Sequence, residues 1–165
     1  MKSISRILLL ALLVAICNAP AAQVEAIRVP SAAMKREIPA VVVLPDACVQ
    51  EPACRYPALY LLPGAGDNEC VWLYRMPVRE MVDQHGVTIV TPVAGTSWYF
   101  NSPEDKNFQF ETFVSSELVK YVDAHHRTIT NRAARALAGN SMDGPPAETV
   151  SLLPLGTVTL RIEFP

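Results

Sequence analysis

Apolar positions along this chain fall into short runs, punctuated by proline, glycine and charged residues. Residues 24–29 alternate weakly and residues 38–44 form an apolar, β-branched run; both patterns predict strands, and the two are candidates to pair. Residues 58–62 form a short apolar run between Pro57 and Pro63-Gly64, the pattern of a strand buried within a sheet. Residues 77–84 place Val78, Met81 and Val82 on one helical face, with Gly86 as the stop. Residues 87–93 are again β-branched, whereas residues 94–109 predict a loop, with Gly95, Asn101, Ser102 and Pro103 among aromatic residues. Phe113, Leu118, Val119 and Val122 recur at helical spacing over residues 113–124, and the small apolar run 134–138 leads straight into Gly139. Strands alternating with helices predict an α/β domain: a mainly parallel sheet with flanking helices. Chemistry in such sheets sits at the carboxyl ends of the strands. Two loops leave predicted strand ends through glycine: Pro63-Gly64-Ala65-Gly66-Asp67 and Gly139-Asn140-Ser141-Met142.

The N-terminus has a different pattern. Lys2 and Arg6 precede an unbroken apolar run, residues 7–16, and the small residues Ala19, Ala21 and Ala22 follow it. That order predicts a secretory signal over residues 1–22, cut after Ala21 or Ala22, and a secreted or periplasmic protein. Ten apolar residues fall short of the roughly 20 a membrane-spanning helix needs, so no stable membrane anchor is expected after cleavage. Half of the residues are hydrophobic, enough for a globular core, and the net charge of −2 grows more negative once Lys2 and Arg6 are gone. Nothing in that balance suits nucleic acid. Cys48, Cys54 and Cys70 lie beyond the signal; an oxidising compartment favours a bridge between Cys48 and Cys54 across their short loop, with Cys70 left as a thiol. No histidine lies near that pair in sequence, which weighs against a metal site.

Gly139-Asn140-Ser141-Met142 carries the features of a nucleophile elbow. A serine on a tight strand-to-helix turn holds its hydroxyl out over the sheet, and flanking glycines let the neighbouring strand approach. The fifth position is Asp143 where the full motif has glycine. Upstream, the loop after residues 58–62 is placed to build half of an oxyanion hole.

These motifs resemble those of the esterase D, feruloyl esterase and mycolyltransferase group of α/β-hydrolases. Tyr60-Leu61-Leu62-Pro63-Gly64-Ala65-Gly66-Asp67 is similar to the oxyanion loop of that group. Phe110-Glu111-Thr112-Phe113, followed by Ser116-Glu117-Leu118, resembles the helix before the nucleophile strand, and Gly139-Asn140-Ser141-Met142 resembles the elbow. The resemblance covers residues 24–142. It implies a small-molecule ester or acyl substrate, Ser141 as nucleophile, the backbone N–H groups of Ala65 and Met142 as the oxyanion hole, and no cofactor. It also brings Trp98 and Tyr99 toward a substrate pocket; packing in the core is the other role open to them.

The resemblance ends after the elbow. Asp143-Gly144-Pro145-Pro146 replaces the helix expected beneath the serine, and proline in a helix costs about 3 kcal/mol or more. In the group the catalytic acid and histidine follow the serine; the residues after Ser141 contain no histidine. His125, His126 and His85 stand at predicted helix ends, where histidine satisfies terminal carbonyls. The domain reading is therefore a signal (1–22), the N-terminal part of a truncated α/β-hydrolase domain (23–143) and a divergent tail (144–165), which a frameshift near Met142 would explain. The expected activity is absent or at trace level. A non-catalytic binder of esters or carbohydrates and a non-functional product stay open beside it. An uncovered strand at residues 134–138 invites self-association.

Overall fold

The computed structural model describes residues 22–139 except 52 and 94. Residues 1–21 of the expected signal, Ser141, Met142 and the tail lie outside the described residues. Five strands form one sheet: β1 (Gln23–Ser31), β2 (Arg36–Leu44), β3 (Ala58–Leu62), β4 (Thr88–Pro92) and β5 (Arg135–Gly139). Their spatial order is β1-β2-β4-β3-β5. The sheet is mixed, with the parallel strands and flanking helices that the α/β reading expects. β4, β3 and β5 run parallel, while β2 is antiparallel to both β1 and β4. The reason lies in the connections: residues 32–35 suffice for an antiparallel hairpin, whereas β3, β4 and β5 are separated by helices that carry the chain back.

The helices are α1 (Ala47–Gln50), α2 (Val71–Arg75), α3 (Val78–His85) and α4, the last in three consecutive pieces. Phe110–Thr112 and Val119–His125 are α-helical, and Phe113–Leu118 between them is π-helical. α3 stops where the sequence predicts, because Gly86 takes a left-handed φ of 57° that a side chain resists.

Strand residues alternate between two cores. Val42, Leu44, Tyr60, Leu62, Val90 and Leu137 pack on one face with Phe113, Val114, Leu118 and Val122 of α4. Val41, Val43, Leu61, Ile89 and Ala138 pack on the other with Val71 and Trp72 of α2 and Val78 and Val82 of α3. A side-chain period of two with both faces buried explains why the strands read as continuous apolar runs.

Candidate active site

β3 and β5 lie side by side and parallel, with Leu62 opposite Gly139 as the last pair. Both strands therefore hand their chains on at the same end of the sheet. A Cβ built on Gly139 would stand 3.1 Å from Leu62 Cβ and 3.2 Å from the Leu62 carbonyl oxygen. Glycine at position 139 thus answers to the close approach of β3.

Beyond Leu62 the chain turns through Pro63 and Gly64, which are buried, to Ala65 and Gly66, which are exposed. Asp67 N–H donates to the Gly64 carbonyl at 3.2 Å, and Gly66 N–H donates to the Gly95 carbonyl at 3.1 Å. No peptide here is cis, and a trans peptide points its C=O and N–H in opposite directions. With the Gly64 carbonyl turned toward Asp67, the Ala65 N–H faces away from the turn. Among the described residues it has no acceptor. The loop is tied further on by Arg75, whose guanidinium donates to both oxygens of Asp67 at 3.0 and 3.2 Å. The buried Thr91 hydroxyl donates to the Glu69 carbonyl.

Trp98 and Tyr99 occupy the middle of a tight turn closed by Phe100 N–H donating to the Ser97 carbonyl at 3.2 Å. Both central residues are left-handed, with φ of 54° and 59°. That is the geometry glycine and asparagine ordinarily supply, and it costs non-glycine residues about 1–3 kcal/mol each. The turn separates the two side chains. Trp98 is half exposed, whereas the Tyr99 ring packs against the α4-side core and its hydroxyl donates to the Pro63 carbonyl at 2.7 Å. Burial, with Asp67 nearby, pushes the Tyr99 phenol well above its ordinary value, so it stays a donor throughout the usable pH range. Of the two aromatic residues named from sequence, Trp98 alone stays available to a ligand. The hydroxyl of Tyr99 is committed to the loop beside it.

The histidines lie at the other end of the sheet. His85 lines an apolar groove with Pro57 and Ala58, at the start of β3. His125 Nδ1 pairs with the Tyr121 carbonyl at 2.8 Å and its ring stacks on Tyr121, as a helix-end histidine should. His126 packs near Glu25 and lines a small cavity with Gln23, Leu44 and Cys48. Asp123, the acid next to them in sequence, instead accepts from Thr128 Oγ1 at 2.6 Å and pairs with Arg135. None of the three described histidines stands near Ala65.

Cys48, Cys54 and Cys70 are free thiols, so the expected Cys48–Cys54 bridge is not formed. The short α1 turn carries Cys48 into the core, and Cys54 turns its Sγ to Glu51 Oε2 at 3.1 Å. Among the described residues no cluster of three or more histidine, cysteine or acidic side chains could hold a metal ion, and no helix is long and apolar enough to cross a membrane.

The parallel β4-β3-β5 core and its flanking helices form part of an α/β-hydrolase fold. The family described as "Putative esterase" matches residues 31–148, and the chain belongs to it. It is 32% identical over 143 residues to the diacylglycerol acyltransferase/mycolyltransferase Ag85A of Mycobacterium bovis, a match covering 81% of this chain and 40% of that protein. The corresponding protein of Mycobacterium gordonae is 34% identical over 139 residues, covering 78% and 38%. Among solved structures, a ferulic acid esterase superposes with a TM-score of 0.65 at 31% identity, covering 73% of this chain and 49% of that one. The fold is shared with an S-formylglutathione hydrolase from Agrobacterium tumefaciens, with a TM-score of 0.67 at 19% identity, covering 76% and 51%. The chain thus spans about two-fifths of the length of these curated relatives.

Proposed function

We propose that the protein is a serine carboxylic-ester or thioester hydrolase by descent, working through an acyl-enzyme on Ser141. The observation that carries this reading is the register of β3 and β5. Ser141 follows Gly139 by two residues and Ala65 follows Leu62 by three, so the strand leading to Ser141 and the strand leading to an uncommitted N–H end side by side at one end of the sheet. Ser141 Oγ attacks the ester carbonyl as its proton passes to solvent water, which returns one to the departing alcohol or thiol. The Ala65 N–H, with that of Met142, then stabilises the tetrahedral oxyanion. Collapse expels the alcohol, or the thiol of a thioester, and leaves an acyl-serine that water hydrolyses.

The serine proton needs a base, and the three described histidines are at the far end of the sheet. For this chain acting alone, trace turnover follows, about 10³–10⁴-fold over water from oxyanion donors and binding. The same placement favours a second reading, a secreted protein that binds esters or carbohydrates without turning them over. Lys2, Arg6 and the apolar run 7–16 support export to a secreted or periplasmic location.

The test is hydrolysis of an activated short-chain aryl ester by the exported protein beside Ser141→Ala. Slow turnover lost on substitution supports the esterase. Equal rates in folded protein contradict it, and ligand binding without turnover then favours the binder.

A further inference from the structure

We propose that Tyr99 is a positioning residue of this site: its phenol holds the Pro63 carbonyl and thereby sets the direction of the Ala65 N–H. The inference rests on the esterase reading and deepens it. Two hydrogen bonds join the two loops, Tyr99 Oη to the Pro63 carbonyl at 2.7 Å and Gly66 N–H to the Gly95 carbonyl at 3.1 Å. They bracket Ala65 on both sides. The Pro63–Gly64 peptide is fixed by Tyr99, the Gly64–Ala65 peptide by Asp67 N–H, and the Ala65–Gly66 segment by Gly95. Three successive anchors leave the Ala65 N–H little freedom to rotate. An oxyanion donor works through such fixed orientation, because it then needs no rearrangement as charge develops.

The turn that delivers the phenol is itself unusual. Trp98 and Tyr99 are consecutive aromatic residues with left-handed φ of 54° and 59°, a conformation that persists only where the surroundings over-determine it. Packing of the Tyr99 ring on the core, the Tyr99 N–H to Ser97 Oγ contact at 3.3 Å and the phenol–Pro63 bond supply that constraint. Strained backbone at the carboxyl end of the sheet, spent on tying one loop to another, is what a site-positioning device requires.

Tyr99→Phe keeps the ring and removes the hydroxyl. In the exported protein we expect three results together. Amide exchange at Gly66 accelerates at least tenfold, the Ser141-dependent kcat toward the aryl ester falls at least tenfold, and KM stays within twofold. A thermal melt on the same samples shows that Tyr99→Phe still unfolds cooperatively. Ser141-dependent turnover that Tyr99→Phe leaves unchanged overturns the positioning role alone. Faster exchange at Gly66 with unchanged kcat overturns it too, since the bond is then merely structural. No Ser141-dependent turnover in the unsubstituted protein contradicts ester cleavage itself and removes the positioning role with it.

Discussion

Gly139 shows how one residue type can be fixed by a neighbour. The 3.1 Å and 3.2 Å approaches to Leu62 leave no room for a methyl unless β3 gives way. Gly139→Ala should therefore cost about 1–3 kcal/mol, the usual penalty for overpacking. Denaturant unfolding checks this, and a midpoint equal to that of the unsubstituted protein would contradict it. His126 supplies a pH dependence. Burial holds its imidazole below the ordinary value, partly opposed by Glu25 on β1 and reinforced by His125. Arg127 and, from α1, Cys48 line the same cavity of about 160 Å³. The native state resists a proton that the unfolded chain accepts near pH 6.5. Stability is thus full above that pH and falls as pH drops through the lowered native value, by at most about 1.4 kcal/mol per pH unit for one proton. Melting temperatures of the unsubstituted protein and His126→Gln, followed from pH 7.5 to 5, should diverge in slope; parallel curves would contradict the assignment.

At the scale of elements, the β1–β2 hairpin depends on a distant side chain. Its turn, residues 32–35, contains no glycine, and Lys35 carries the left-handed φ of 53°. The turn is held by Glu117 of α4, which accepts from Ser31 Oγ at 2.5 Å and from Ala33 N–H at 2.9 Å. Glu117→Ala leaves the buried Ser31 O–H and the Ala33 N–H without their acceptor, so about 1–3 kcal/mol should be lost. Glu117→Gln should recover part of it, both read as shifts in the urea midpoint. The hairpin was legible as two strands that pair, whereas no local pattern announces the Glu117 anchor that holds its turn. β3 and α3 were legible because proline and glycine bound them. α2 was not, since Val71 and Trp72 are its only buried residues and five residues are too few for a period. The π-helical stretch escapes for another reason. Phe113, Leu118, Val119 and Val122 look like ordinary helical spacing, and only packing reveals the wider winding.

Across the whole molecule, the two ends of the sheet differ in character. The carboxyl end gathers Ala65, Trp98 and the exit toward Ser141, whereas the opposite end gathers the three described histidines, the Asp123–Arg135 pair and an apolar groove of about 470 Å³. Glycine loops at strand ends made the first end readable from sequence. The Tyr99–Pro63 bond joins residues 36 positions apart and could emerge only from the fold. The groove is lined by Leu59, Met81, Val87, Ile89 and Ala136, and among the described residues β5 pairs on one side only. An unpaired edge beside an apolar groove should promote self-association. Light scattering should show mass rising with concentration, and Ala136→Glu should reduce that rise; a concentration-independent monomer would contradict it.

The central claim, that Ser141 and the Ala65 N–H share one site, is tested most directly by mass mapping after brief incubation with an activated aryl ester. With the three described histidines at the far end of the sheet, hydrolysis of an acyl-serine should be slow, so an acyl group should accumulate on the peptide containing Ser141, and Ser141→Ala should remove it. An unmodified Ser141 peptide, or acylation confined to other residues, would contradict the account.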